Sequence, residues 1–228
     1  MICKEFKCIF VHVPKAAGMS VEHYFLNLLG MTWETRAPLL LRPNDDPSKG
    51  PARLAHLYAE EYVKFGYISQ EQFNEYYKFS FVRNPWARIV SEYKFRHHNI
   101  RFTFSDFIKH HLPEPGMDDA YRHIVPQYNF THSPDGQCLV DYIGKFESLQ
   151  NDFDVVAKQL GFADSTLPHI NDTKKNAQYG LNWKLRKWLM SFQQKEHKNY
   201  RDYYNDELKK IVSKLYEQDI DTYKYQFD

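Results

Sequence analysis

The chain contains the same local unit twice: a short apolar strand, a turn that carries a cationic side chain, and a helix with apolar periodicity. The first unit runs from residues 8–13 (CIFVHV) through residues 14–20 (PKAAGMS) into a helical stretch that Gly30 closes. The second runs from residues 78–83 (KFSFVR) into a helix that starts at Trp86. Because strands that alternate with helices form parallel sheets covered by those helices, this pattern predicts an α/β fold.

The rest of the chain extends the same architecture. Asn84 suits the N-cap of the second helix, and Pro85 suits its first position. A chain of 228 residues fits one domain. We therefore expect a single domain over residues 1–228, a P-loop-like three-layer sandwich with a mainly parallel central sheet flanked by helices. Apolar patterning adds expected strands at 53–56 and 138–146, and expected helices at 149–160, 181–194 and 208–220.

Charge and cysteine content exclude several classes of function. The 30 Lys and Arg residues nearly balance the 29 Asp and Glu residues, so no global field recruits nucleic acid or an acidic membrane. Cys3, Cys8 and Cys138 lack the ligand spacing of a zinc site. No run of about 18 apolar residues could span a bilayer, so we expect a cytoplasmic protein without a transmembrane segment. The sequons at Asn129 and Asn171 keep a lumenal domain of a secretory-pathway enzyme as an alternative.

The first turn has the chemistry of an anion-binding loop. In open α/β sheets, ligands collect at the carboxyl ends of the strands, where the next helix presents unpaired N–H groups. Lys15 supplies a positive charge there, Gly18 lets the backbone approach an anion closely, and Ser20 adds a hydroxyl group. Met19 stands where the Walker A motif requires a lysine, so the loop differs from that of nucleotide kinases.

The second turn carries complementary side chains. Arg83, at the end of its strand, has the planar fork that suits bidentate contact with a phosphate. Ser91 follows two helical turns later on the polar face of the helix, whereas Trp86 and Ile89 lie on the apolar face. Two such turns in matching contexts predict a ligand with anionic groups at two positions.

At these residues the sequence resembles the sulfotransferases that use 3′-phosphoadenosine 5′-phosphosulfate (PAPS). The similarity is to the carbohydrate-type branch, which includes heparan sulfate 2-O- and chondroitin-type enzymes and bacterial relatives. Residues 14–20 resemble the family's 5′-phosphosulfate loop, and residues 81–93 (FVRNPWARIVSEY) resemble its 3′-phosphate motif. Further similarity lies at 123–128, 140–149 and 203–225, whereas residues 177–197 are an insertion relative to shorter relatives.

The resemblance implies a sulfotransferase that moves a sulfuryl group from PAPS to a hydroxyl group, with 3′,5′-adenosine bisphosphate (PAP) as product and no metal. The expected acceptor is a carbohydrate or another hydroxyl compound. Lys15 would stabilise the charge that develops on the leaving oxygen. The expected cosubstrate-binding residues are Lys15, Ala16, Ala17, Gly18, Met19, Ser20, Arg83 and Ser91.

The acceptor hydroxyl needs a base, for which a histidine is the usual choice. His56 is the first candidate because it ends the expected strand at 53–56 and related enzymes place a histidine base after a comparable strand. His123 is the second candidate and Glu60 the third. Two other functions stay open on the sequence: a P-loop-like nucleotide kinase, and a binding module that keeps the nucleotide pocket without catalysis.

Overall fold

The computed structural model describes residues 1–168 and 199–228 and is built on a mainly parallel sheet. The strands stand in the order β1-β2-β3-β4, with β1 antiparallel to β2 and the other neighbours parallel. Phe10 of β2 pairs with Phe79 of β3, and Phe81 of β3 pairs with Gly144 of β4. The α/β class and the mainly parallel sheet are thereby confirmed. The strands are β1 (Ile2–Cys3), β2 (Cys8–Val11), β3 (Tyr77–Val82) and β4 (Tyr142–Lys145).

Helices connect and cover these strands. The α-helices are α1 (Gly18–Leu28), α2 (Glu61–Lys64), α3 (Gln70–Glu75), α4 (Pro85–Phe95), α5 (Phe104–His110), α6 (Asp119–Ile124), α7 (Tyr128–Thr131), α8 (Leu149–Leu160), α9 (Asp206–Leu215) and α10 (Glu217–Tyr223). Short 3₁₀ helices occupy Ala37–Leu39, Pro47–Lys49, Leu54–His56, His98–Ile100, Phe146–Ser148 and Tyr200–Tyr203. Within residues 1–168 and 199–228, none of the helices has the length and apolar character needed to cross a membrane.

The described residues pack as two compact units, Met1–Arg83 with residues 114–168 and Asn84–Pro113 with residues 199–228. The first unit contains the whole sheet, α1 to α3 and α6 to α8. The second contains α4, α5, α9 and α10, with an aromatic core in which the Tyr93 and Phe104 rings lie 5.3 Å apart.

The first unit has helices on both faces of its sheet. Because successive strand residues point to opposite faces, Phe10 faces α1 and α8, where it meets Phe25 and Phe153 in one apolar cluster. Ile9 and Val11 point the other way, into a second cluster with residues of α2, α3 and α7. This alternation buries β2 completely and explains its unbroken apolar sequence.

Three expected elements are corrected. The expected strand at 53–56 is a 3₁₀ helix, Leu54–His56, because among the described residues only one isolated bridge, Arg53 with Pro43, supports an extended chain there. The expected strand at 138–146 narrows to β4, since Cys138 bridges His132 instead of joining the sheet.

The expected helix at 208–220 is two helices, α9 and α10, which meet at the buried residue Tyr216. Tyr216 has φ −116° and ψ 30°, outside the helical region, so the chain changes direction there. The expected helix at 181–194 and the insertion at 177–197 lie outside the described residues.

Candidate active site

The loop between β2 and α1 is held in an uncommon backbone conformation. Lys15 and Ala17 have φ values of 68° and 71°, in the left-handed region that non-glycine residues rarely adopt. Such conformations persist only where the surrounding structure enforces them, and they cluster at ligand-binding turns. A left-handed residue directly before a helix also points successive N–H groups into one concavity that suits an anion. The loop therefore has a backbone conformation that can accommodate an anion.

Gly18, the first residue of α1, is required by a neighbour that the sequence analysis did not identify. A Cβ atom at position 18 would lie 1.8 Å from Nε2 of His12, so the imidazole ring occupies the space of any side chain there. His12 follows β2 and points to the same face as Phe10, with which its ring stacks at 5.6 Å. The close packing of this ring is thus a structural reason for glycine, in addition to access for a ligand.

Arg83 lies at the end of β3 and contacts the loop that follows β2. Its Nη1 donates to the carbonyl oxygen of Lys15 at 3.3 Å, and its guanidinium lies 4.2 Å from the Phe146 ring centre. The buried side chain of Gln127 fixes the Arg83 main chain by accepting from its N–H and donating to its carbonyl, both at 2.8 Å. The structure therefore brings the Arg83 guanidinium to the main chain of the loop that follows β2, at one edge of the sheet.

Ser91 belongs to α4 in the second unit and is half-buried. The start of α4 is as predicted, because Asn84 accepts from the N–H of Ala87 at 3.2 Å and Pro85 is the first helical residue. Arg88, on the same polar face as Ser91, is buried and lies 5.9 Å from the Tyr216 ring centre. This face is therefore only partly exposed to solvent.

His56 is buried and hydrogen-bonded to a carboxylate. Its Nδ1 lies 2.7 Å from Oδ1 of Asp119, the first residue of α6. Because a carboxylate only accepts, Nδ1 carries the proton and Nε2 keeps its lone pair. Burial lowers the pKa of His56 to about 3 against the opposing effect of the hydrogen bond that His56 donates to Asp119, with further lowering by His12 and His123. The ring is therefore neutral at neutral pH, with Nε2 as its basic atom.

His12 forms a second pair of the same kind. Its Nδ1 lies 2.6 Å from Oε1 of Glu22 on α1, and both side chains are buried. Burial alone would raise the pKa of Glu22, but the charge and hydrogen bond of His12 outweigh it and the net pKa is lowered. Glu22 is therefore ionised inside the first unit.

The two pairs are in contact through their rings. The His12 and His56 ring centres lie 5.0 Å apart with an interplanar angle of 82°, and those of His56 and His123 lie 4.9 Å apart at 75°. His123 Nε2 is also 3.6 Å from Oδ2 of Asp119. Glu22, His12, His56, Asp119 and His123 thus form one polar row, in which Asp119 is half-buried and the other four residues are buried. We call this set the histidine row.

The other base candidates differ in their surroundings. His123 is a member of the histidine row beside His56, whereas Glu60 precedes α2 and, in the part of the chain that is described, makes no hydrogen bond to that row. Arg122, next to His123, makes a buried bidentate ion pair with Glu61 at 2.8 and 2.7 Å. This pair ties α6 to α2 and so fixes the helix that carries Asp119.

The trio His56, Asp119 and His123 has the residue types of a metal site. However, the 2.7 Å separation of His56 Nδ1 and Asp119 Oδ1 is that of a hydrogen bond. Two ligand atoms on a tetrahedral zinc ion would lie about 3.3 Å apart, because each is about 2.0 Å from the metal. As placed, the three side chains bind each other.

Four residues of this region were missed from the sequence: His12, Glu22, Asp119 and Gln127. The position of His12 in the strand did contain a signal, since a polar residue in an apolar run that shares the parity of Phe10 must enter the same side of the sheet. Asp119 lies four residues before His123, which predicts proximity on a helix but not a bond to His56.

The α/β sheet, the loop after β2 that carries Lys15, and a buried histidine paired with a carboxylate are compatible with a group-transfer enzyme of the phosphate-loop kind. Residues 1–226 match the sulfotransferase family. The chain therefore belongs to the sulfotransferase family, and its activity is sulfuryl transfer.

One relative is an uncharacterized protein of Archaeoglobus fulgidus. It is 31% identical over 107 residues, which cover 46% of this chain and 83% of the relative. No solved structure matches the chain.

Proposed function

We propose that this sulfotransferase moves a sulfuryl group from PAPS to a hydroxyl group of a carbohydrate. The observation that carries the proposal is the contact between the two turns, in which Arg83 Nη1 donates to the Lys15 carbonyl at 3.3 Å. This contact supports the proposal because it brings the Arg83 guanidinium to the main chain of the loop that carries Lys15, and a donor with phosphate groups at two positions would need cations from both turns. The match to the sulfotransferase family supplies the sulfuryl chemistry.

The donor would be held by both turns. The backbone N–H groups of the loop and the Lys15 ammonium would bind the 5′-phosphosulfate, with the Ser20 hydroxyl as a further donor. Arg83 and Ser91 would bind the 3′-phosphate, a role that rests on the order of the motif at residues 81–93. The clamp of Gln127 on the Arg83 main chain supports this role, because it fixes the origin of a long side chain. The proposed loop ligands are Lys15, Ala16, Ala17, Gly18, Met19 and Ser20.

The transfer itself needs in-line placement and stabilisation of negative charge. The acceptor oxygen forms a bond to sulfur while the bond between sulfur and the 5′-phosphate oxygen breaks, so that PAP leaves. Lys15 would stabilise the charge that develops on that leaving oxygen. This role needs no metal, because the Lys15 and Arg83 side chains are cations themselves.

His56 is the proposed base. Its Nε2 would accept the acceptor proton as the new oxygen-sulfur bond forms, and Asp119 would stabilise the resulting imidazolium as the carboxylate of a catalytic triad does. A pKa of about 3 makes His56 a weak base. The negative charge of a bound sulfonate would raise that pKa. His123 is the alternative base, and it shares the same carboxylate.

Two other functions are weaker. A nucleotide kinase would need a lysine where Met19 stands. A binding module without catalysis would have no use for a buried base held in one tautomer beside the loop. We also propose a carbohydrate-type acceptor and a cytoplasmic location, on the grounds of the motif resemblance and the composition.

The test compares PAP, ATP, ADP and AMP by thermal shift and then measures transfer of labelled sulfate from PAPS to a panel of carbohydrates. We expect PAP to stabilise most, without Mg²⁺, because ligand at 100-fold excess over Kd adds about 2.7 kcal/mol of stability. Arg83→Gln should remove the advantage of PAP over AMP, which lacks the 3′-phosphate. Greater stabilisation by ATP with Mg²⁺ would favour the kinase, and binding of PAP without transfer to any acceptor would favour the binding module.

A further inference from the structure

The pair of Glu22 and His12 is buried beside the proposed base but has no step in the proposed reaction. We infer that it is a positioning pair for His56, which holds one side of the His56 ring and supplies negative charge that favours a proton on it. This inference rests on the proposed function, in which His56 is the base. Nothing in the family match or the motif resemblance assigns a role to either residue.

His12 is placed to act through another residue rather than on substrate. Its Nδ1 is bonded to Glu22, which leaves Nε2 as the ring nitrogen that a substrate could contact. That atom faces the α-carbon of Gly18, close enough that a Cβ there would lie 1.8 Å away. The loop therefore covers Nε2, and an acceptor hydroxyl has no room to reach it.

The contact with His56 gives the pair its effect. The two rings are nearly perpendicular with centres 5.0 Å apart, and the His123 ring also contacts His56 at 4.9 Å, so packing against both rings restricts rotation of the His56 ring. Glu22 interacts electrostatically with His56 across His12. In a buried site such charges act at low effective dielectric, so the carboxylate of Glu22 favours the imidazolium that forms when His56 accepts a proton, whereas His12 itself lowers the pKa of His56.

Other charged groups lie around the contact between His12 and His56, and a variant of the pair must leave these groups unchanged. Asp119 and His123 of α6 face His56, and Arg53 Nε lies 3.8 Å from Asp119. The groups that face Glu22, besides His12 and His56, are the amino group of Met1 and the hydroxyl group of Tyr62.

Two variants separate the charge of the pair from its packing. Glu22→Gln keeps the shape and a hydrogen-bond acceptor for His12 but removes the negative charge. His12→Asn keeps a donor to Glu22 but removes the ring edge that contacts His56. The matched control is His23→Asn, on the same helix, because the His23 ring stacks on Trp33 at 5.1 Å, outside the histidine row.

The measurements are kcat and KM across pH, PAP binding by thermal shift, and NMR of the His56 ring in the PAP complex. We expect Glu22→Gln to lower kcat about tenfold or more with KM for PAPS and PAP binding nearly unchanged. The acid limb of its pH profile should move to lower pH, because His56 loses its proton more readily. We expect His12→Asn to lower kcat similarly and to broaden the His56 ring signals, and His23→Asn to behave as wild type.

The inference is wrong if kcat, the acid limb and the His56 signals of both variants match wild type, or if neither variant folds by circular dichroism. NMR reports on the pair without catalysis, which separates this inference from the proposed function. Changed His56 signals in a protein that binds PAP but transfers no sulfate would support the pair and contradict the proposed function. Normal sulfate transfer with unchanged His56 signals would support the proposed function and contradict the role of the pair.

Discussion

Alanine at position 18 places a methyl group inside the His12 ring. The Cβ atom would lie 1.8 Å from Nε2, whereas real Cβ contacts begin near 3.0 Å, so the ring or the loop must move by about 1.2 Å. His12 cannot move outward cheaply, because it is buried and its Nδ1 is bonded to Glu22 at 2.6 Å. Overpacking of this kind costs about 1–3 kcal/mol, and weakening a hydrogen bond to a buried charge adds about 1.5–3 kcal/mol.

Replacing glycine by alanine inside a helix returns about 0.5–1 kcal/mol, so we expect Gly18→Ala to lose about 3 kcal/mol of unfolding free energy. For a chain of this size that loss lowers Tm by about 6–12 °C. Urea unfolding and calorimetry measure both quantities, and Gly116→Ala is the control, since Gly116 is exposed and the nearest atom to its Cβ is Oδ2 of the exposed Asp118 side chain at 3.3 Å.

A double variant tests the cause of this loss. If the His12 ring causes the clash, Gly18→Ala combined with His12→Ser should be less destabilised than the sum of the two single changes, by about 1–3 kcal/mol. A Gly18→Ala protein as stable as wild type would refute the packing argument. Additive losses in the double variant would show that the clash lies elsewhere.

Much of the sheet edge that carries the site could be predicted from the sequence, because its signals are local. The strand-turn-helix pattern located β2, β3 and the loop, and the dipeptide Asn84-Pro85 located the start of α4. Residue parity along β2 would also have placed His12 on the face of Phe10, although His12 was missed. Cation placement at the ends of β2 and β3 follows from parallel pairing, which the alternation of strands and helices predicts.

The histidine row could not be predicted, because its bonds join residues far apart in sequence. His56 and Asp119 are separated by 63 residues, and no periodicity relates them. The pattern at residues 53–56 predicts a strand, but so short an apolar run fits a strand or a helical turn equally well. Long-range contacts select the helical turn over the strand. Arg53 forms a β-bridge with Pro43 and contacts Asp119, and the next residues, Leu54–His56, form the 3₁₀ turn.

Three predictions test the chemistry of the row and the loop. Lys15→Ala should lower kcat about 10²- to 10³-fold in a PAPS transfer assay while weakening PAP binding much less. The reason is that the interaction of the Lys15 ammonium strengthens as charge develops on the leaving oxygen. Near-normal turnover in this variant would mean that Lys15 has no role in the transfer step. Treatment with EDTA followed by metal analysis should leave activity unchanged, and loss of activity restored by zinc would assign the trio around His56 to a metal. Asp119→Asn tests the tautomer. Asp119 only accepts from His56 Nδ1, at 2.7 Å, whereas an asparagine amide at the same place can donate to it. Donation to Nδ1 would move the ring proton to Nε2, the atom proposed to accept the proton of the acceptor hydroxyl. Because shape and size are kept, we expect PAP binding and Tm close to wild type with kcat lower by about 10²- to 10⁴-fold. NMR should show the His56 proton on Nε2 in this variant. Full activity with the proton on Nε2 would transfer the role of base to His123.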